Sequence, residues 1–357
     1  MTAAENLLEA AAKRLFATHV TRALREQAEN GVWPAALWSA LEEAGLAQPA
    51  LPETAGGAGG DLVDEATALI AFGRAAAPVP LPETMLAGWL LAAAGLPVPQ
   101  GPLSLAPVRK EDRLTLVRRN GGWRLAGRMT RIPWAGAVTG LAGLAETAPG
   151  TYAVAWIDRE AYQAAPGRNM AGEPRDTIDF ADIVLPDNAV AMVALTADDL
   201  YRRGALMRAT AMAGALAQVL DLTVRYAGER SQFGRPIGKF QAVQQQLAIL
   251  AGQAAVASRA ALGAYEILAR GEDAGFAIAA AKARVGEAAG VAASIAHQVH
   301  GAIGFTHEHE LHYSTRRLWS WRDEFGGESH WQAWIGRRAA TLGADSLWPL
   351  LTGTLDG

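Results

Sequence analysis

From Thr196 to His300 the chain keeps a helical period almost without a break, and this run limits the fold more than any other feature. Thr-Ala-Asp-Asp at 196–199 reads as a capping box, with Thr196 capping and Asp199 reaching back. The helix it opens is expected to run to Gly228, a candidate residue just past the helix end. A second helix is expected over about 239–270, and a third, rich in alanine, over 275–300. Alanine in such numbers lets helix axes approach closely. With a last helix carrying Trp319, Trp321, Trp331 and Trp334, the four predict a bundle.

Upstream the period changes twice. Through residue 100 apolar side chains recur at three- and four-residue spacing, as in Leu7, Leu8, Ala11, Leu15 and Phe16, and again in Leu37, Leu41 and Leu46. Pro34 falls where a first helical position would be. MLAGWLLAAAGLPVP (85–99) is too short to span a bilayer and is expected to be a buried helix. Beyond residue 100 short strand-like runs replace the helices: RLTLVRR, GWRLAGRM, TYAVAWID and TIDFADIVL. Asn120-Gly121 between the first two is a hairpin signal, because both residue types tolerate positive φ. The expected fold class is mixed and mainly α. It has an N-terminal helical domain over 1–100, a middle antiparallel β domain over 101–195 and a C-terminal four-helix bundle over 196–357.

Bulk properties exclude several functions. Half the residues are apolar and 19% are charged, a globular composition, and the net charge of −4 supplies no basic field for nucleic acid. The absence of cysteine removes disulfides, thiolate metal sites and cysteine nucleophiles. The opening MTAAENLLEAAAKRLF is amphipathic with early glutamates, unlike a signal peptide. Neither a membrane nor a nucleic acid is an expected partner, and a cytoplasmic location is expected.

Two motifs carry the functional information. RSQFGRPIGKFQ (230–241) places an arginine at a bend stiffened by two glycines and a proline, an arrangement able to hold a phosphate. Extended to 248, it resembles, together with QVHGAIGFTHEHELH (298–312), the C-terminal domain of the acyl-CoA dehydrogenase family in spacing and in helix placement. A looser match covers the whole chain. The resemblance implies a flavoprotein that binds FAD and oxidises an acyl-CoA to the 2-enoyl thioester. A carboxylate takes the α-proton and flavin N5 takes the β-hydrogen as hydride. It also implies an electron-transfer flavoprotein as electron acceptor and a homodimer or homotetramer, or a hetero-oligomer with a homologous subunit.

Residue by residue, Arg230 matches the family arginine that pairs with the FAD pyrophosphate. Phe233, Ile237, Phe240 and Gln241 match positions around the adenosine half, and Gln232 in the same turn is a further candidate for cofactor contact. Gln298, Gly301 and Ala302 match the second contacting stretch, with alanine where a second glycine is usual. In the family's oligomers these stretches reach across a subunit boundary to the neighbour's FAD, whereas the flavin ring is held by a subunit's own β domain.

Those own-subunit elements are altered. In SLAPVRKED (104–112) Pro107 survives, while Leu105 and Ala106 replace a threonine and a glutamate. In RIPWAG (131–136) Ile132 is followed by Pro133, which lacks the hydroxyl and N–H of the expected threonine. Trp134 could stack on a ring or fill the core. The commonest family base aligns with Phe325, or with Gly326 after a one-residue slip, and the alternative base position aligns with Gly204. Glu324 and Glu328 are neighbours of the first position and serve as fallback candidates. Three readings follow. The chain is a catalytically silent subunit supporting a partner's FAD, or an active homo-oligomer using Glu328 or Glu324 through the pliable Gly326-Gly327 loop, or a cofactor-free binding or scaffold protein on the same fold. His307, His309 and His312 are read as structure beside the cofactor, with no metal expected. The tryptophan group is read as core or interface.

Overall fold

The computed structural model describes residues 3–352, apart from residue 120. Helices α1 (Ala3–His19), α2 (Arg22–Glu29), α3 (Ala35–Glu43), α4 (Leu62–Ala75) and α5 (Leu81–Ala93) form the N-terminal layer. Pro34 stands one position earlier than expected, as the residue capping α3. Asp61 and Asp64 form a reciprocal capping box on α4, a device the sequence reading did not single out. The apolar segment near residue 85 lies in α5, most of whose residues are buried.

Eight strands make one sheet: β1 (Leu103–Ala106), β2 (Thr115–Arg119), β3 (Gly122–Pro133), β4 (Gly140–Ala148), β5 (Thr151–Asp158), β6 (Ala164–Ala165), β7 (Arg175–Leu185) and β8 (Val190–Val193). The main path runs β6-β7-β3-β2-β4-β5-β8, and β1 also pairs with β4. The sheet is antiparallel except at β4, whose pairings with β1 and β2 are parallel. β2 and β3 pair as a tight hairpin with Arg119 opposite Gly122. Gly121 takes φ +92 in that turn, while Asn120 lies outside the described residues.

The C-terminal helices are α6 (Ala197–Glu229), α7 (Gln241–Ala269), α8 (Gly275–His300), α9 (Leu311–Asp323), α10 (Glu328–Leu342) and α11 (Ala344–Thr352). Thr196 and Asp199 form the expected capping box on α6. Gly228 lies inside α6 rather than beyond it. The helix continues because the Arg230 N–H still donates to Tyr226 O at 2.8 Å, and the extended backbone of Arg230 ends it. The four tryptophans fall on two helices, α9 and α10, because a loop with two successive left-handed residues, Phe325 and Gly326, parts them. α6 joins the layers. A Cβ at Gly73 of α4 would overlap the Ala211 carbonyl of α6, and one at Gly214 of α6 would overlap the Ile70 carbonyl of α4. Glycine at both points lets the two backbones touch. α7 packs on α6 and α8 and is long and apolar enough to cross a bilayer by length and composition, with 28% of its most apolar window buried in the chain.

Candidate functional site

The first motif forms a surface turn. After Arg230, two-residue strands β9 (Ser231–Gln232) and β10 (Arg235–Pro236) pair and lead into α7. The turn needs positive φ at Phe233 (+49) and Gly234 (+77), a strained conformation for a phenylalanine. Phe233 is 91% exposed, stands edge-on to Phe240 at 6.2 Å, and Arg235 lies 4.3 Å above the Phe240 ring. Gln232 and Gln241 are exposed, and Ile237 and Phe240 are half-buried. The Arg230 side chain is exposed and has no ion-pair partner among the described residues.

The second motif ends α8. Gly301 has φ +63 with open space where a Cβ would stand, and Gln298, Gly301 and Ala302 are exposed. The alanine at 302 therefore faces solvent and closes off nothing. Behind these residues His297 and His300 are packed into the fold, as is His312, whereas His307 is exposed and His309 half-buried. His297 is stacked between Phe305 (4.3 Å) and Trp319 (5.5 Å), and His300 stacks on Tyr226 at 4.5 Å. Among the described residues no group of three His, Asp or Glu side chains is placed to hold a metal.

A cleft of about 320 Å³ lies between the sheet and the C-terminal helices, lined by Arg109, Arg131, Pro133, Tyr201, Glu324 and Phe325 among others. Its walls come from the altered elements. Leu105 and Ala106, which stand for the family's threonine and glutamate, are fully buried in β1 and present nothing to a ligand. Pro133 ends β3, and Arg131 precedes it with φ +59. Trp134 is buried edge-on against Trp33 at 6.2 Å, so it belongs to the core.

The two positions where the resemblance puts a base meet at the wall of this cleft, where Phe325 lines it and buried Gly204 stands behind the ring. A Cβ on Gly204 would overlap the Phe325 ring, so the ring rests on the bare backbone of α6. Tyr201 meets the same ring edge-on at 5.8 Å. No carboxylate occupies either position. Glu324 does line the cleft, but both of its oxygens are engaged. Oε1 accepts from Arg175 Nε and Oε2 from Arg208 Nε, each at 2.7 Å. Burial pushes its carboxyl up, and the two guanidiniums outweigh burial and hold it down at about 2. Such an anion is a very weak base. Glu328 accepts from Arg322 Nε and rests against α8, where a Cβ on Gly286 would overlap its carboxylate.

The loop between α9 and α10 is fastened from below. Lys282, fully buried, donates to the carbonyls of Arg322 and Gly326 at 2.6 Å each, and Trp331 Nε1 donates to Phe325 O at 3.0 Å. Burial lowers the Lys282 ammonium to about 8. The glycines of this loop therefore do not leave it free to shift, contrary to the expectation that they make it pliable. Trp321 is also core, donating to Glu173 at 2.9 Å.

Sequence reasoning missed a second set of buried charges. Arg208 also binds Glu83 of α5, Arg203 binds Glu65 of α4 at 2.7 and 2.9 Å, and Tyr265 donates to the same Glu65 at 2.7 Å. Arg175 and Arg317 share Glu173 at 3.0 and 3.1 Å. Ion pairs thus fill the space behind Gly204, between α4, α5 and α6. The one trace in the sequence is a charge interrupting an apolar helical run, as at Glu83, Arg203 and Arg208.

Comparison with known proteins identifies the family. Residues 2–97 match the acyl-CoA dehydrogenase N-terminal domain and residues 198–329 the acyl-CoA dehydrogenase C-terminal domain. The acyl-CoA dehydrogenase IpdE2 of Mycolicibacterium smegmatis is 32% identical over 282 residues, covering 79% of this chain and 80% of the relative. The chain belongs to the acyl-CoA dehydrogenase family. Members of that family are FAD-dependent oxidoreductases, and one structure similar to this chain is described as a steroid acyl-CoA dehydrogenase. Among solved structures, the ChsE4–ChsE5 complex of Mycobacterium tuberculosis superposes with a TM-score of 0.86 at 24% identity, covering 96% of this chain and 99% of that one. The steroid acyl-CoA dehydrogenase Tcur3481–Tcur3483 gives 0.84 at 26% identity, covering 94% and 98%.

The residues divide by their fit to FAD. The exposed turn with its unpaired Arg230 and the open approach at Gly301 suit a dinucleotide arriving from outside the chain. The cleft does not suit the flavin ring, because Leu105 and Ala106 are core and Pro133 supplies no donor.

Proposed function

We propose that this chain is the non-catalytic subunit of an acyl-CoA dehydrogenase assembly, lending its Arg230 and Gly301 stretches to the FAD of a homologous catalytic partner. The observation that carries the reading is that the two base positions are held by Phe325 and Gly204, neither a carboxylate, and that the Phe325 ring packs directly on Gly204. Abstraction of an α-proton needs a carboxylate within hydrogen-bond reach and of suitable basicity. Glu324 is an arginine-held anion, and Glu328 is held by Arg322 against α8. Freeing Glu324 as a base would break its bonds from Arg175 and Arg208, and bringing Glu328 to the cleft would break its bond from Arg322.

FAD, held in the partner, supplies the hydride acceptor for oxidation of the acyl-CoA to the 2-enoyl thioester. In this chain Arg230 would neutralise the pyrophosphate. Phe233, Phe240 and Gln241, with Gln232 and Ile237 beside them, would border the adenosine half, and Gln298, Gly301 and Ala302 would form the second contact. Exposed Phe233, with Ile249 and Val256 on the outer face of α7, gives the apolar surface that a subunit interface would cover. That use of α7 accords with a cytoplasmic assembly. Two of the structural neighbours are themselves described as paired chains. An electron-transfer flavoprotein would take the electrons from the catalytic partner.

The test is expression alone and together with an adjacent homologous gene, followed by flavin content and native mass. The reading predicts a colourless, inactive chain alone and a yellow hetero-oligomer with the partner. A yellow homo-oligomer that turns over acyl-CoA refutes it.

A further inference from the structure

Resting on that reading, a second question concerns what keeps the two dinucleotide-facing stretches in register. Arg230 and Gly301 are 71 positions apart in sequence, and the roots of their stretches meet at one ring stack. Tyr226 lies one turn before Arg230, whose N–H donates to Tyr226 O at 2.8 Å. His300 immediately precedes Gly301. The two rings stack at 4.5 Å and 24°, and His309 closes the group at 4.6 Å from His300 and 6.0 Å from Tyr226. His300 is 3% exposed. Its Nδ1 lies 2.7 Å from Ala296 O, and a carbonyl only accepts, so Nδ1 carries the hydrogen. Nε2 is left as a buried lone pair with no partner.

We propose that His300 is a positioning residue, the middle of a joint with Tyr226 and His309 that fixes the Arg230 turn relative to the Gly301 turn. Protonating its ring opens the joint. The surroundings offer the charged ring little relief. His297 on its own helix and His309 across the stack both oppose a positive charge. Arg225 and Glu229 of α6 and Glu310 of the following loop act on His309 with opposing signs. Burial sets the ring near 4, below its ordinary 6.5, so the neutral joint holds above 6.5 and is lost as pH falls toward 4.

Hydrogen exchange on the full chain tests this without FAD. His300→Ala should speed exchange in both 226–237 and 298–305 by about two- to tenfold, the range expected for loss of a ring pair. Tyr226→Leu, which leaves the His300 hydrogen bond in place, should loosen 298–305 as well. His300→Phe keeps the stack, so both segments should stay protected and lose their extra acid sensitivity between pH 6.5 and 4 after correction for intrinsic rates. Loosening confined to the segment that carries the substitution overturns the proposal. So does acid sensitivity that persists in His300→Phe. Arg230→Ala with undiminished flavin in the assembly would instead defeat the FAD reading and leave the joint standing.

Discussion

Arg208 donates to Glu324 from Nε at 2.7 Å while its Nη2 binds Glu83, so one guanidinium ties the end of α9 to α5 through α6. Both carboxylates and the arginine are largely withdrawn from water, and burial of such charges is tolerated only while all remain paired. Glu324→Gln removes one charge and leaves Arg175 and Arg208 short of a counterion. The expected cost is about 3–5 kcal/mol, read as a fall in the urea midpoint. The wild type should also lose stability on acidification below the ordinary carboxylate range. Glu324 is held at about 2 in the fold, so its contribution is complete above its unfolded value and disappears as pH falls through about 2. An unchanged midpoint and an unchanged acid limb in Glu324→Gln would show that the pairing does not support the fold.

The contact between Phe325 and Gly204 predicts a coupled pair of substitutions. Gly204→Ala forces a methyl into the ring and should destabilise by about 1–3 kcal/mol, as overpacking does. Phe325→Ala leaves a hole instead, costing about 3–5 kcal/mol. In the double variant the methyl enters space the ring has vacated, so the two costs should fall short of their sum by at least about 0.5 kcal/mol. Additive costs in urea titrations would mean that the ring does not press on α6 in solution.

How much of this was legible in the sequence depends on whether the signal was local. The capping box at Thr196 and the period that follows fix α6 because both act within a few residues. β4, GLAGLAETA, went unread because its first six residues are buried on both faces and carry no alternation, and β1 is short and wholly buried. The Arg230 and Gly301 stretches were found through spacing that a family resemblance made specific. The ion pairs behind Gly204 were not, since Arg203 and Glu65 stand 138 positions apart and Arg208 and Glu83 stand 125 apart. No local pattern pairs such residues. Reading the Gly326-Gly327 loop as pliable failed for the same reason, because Lys282, which fastens it, lies 40 and 44 positions away from the carbonyls it holds.

The fallback bases make a kinetic prediction. Removing a general base costs about 10²–10⁴-fold in turnover. Glu328→Gln and Glu324→Gln in this chain, assayed in the intact assembly at a temperature where both remain folded, should change kcat by less than about threefold. A loss of a hundredfold or more with native mass and flavin content preserved would assign the base to this chain and overturn the silent-subunit reading.

Arg230 gives the complementary prediction on cofactor retention. Its guanidinium is exposed, lacks an ion-pair partner among the described residues, and sits at the end of α6 beside a strained turn whose Phe233 ring faces solvent. A charge-assisted contact to a phosphate is worth about 1.5–3 kcal/mol, so Arg230→Ala should weaken FAD retention in the assembly by about 10- to 100-fold. Arg230→Lys keeps the charge without the planar fork and should fall between the two. Because the side chain supports nothing within its own chain, the urea midpoint of the isolated chain should stay within about 0.5 kcal/mol of the wild type. Flavin released on dialysis, quantified by absorbance against protein, separates the outcomes: full retention in Arg230→Ala would place the pyrophosphate elsewhere, whereas loss with an unaltered midpoint assigns the arginine to a ligand outside its own fold.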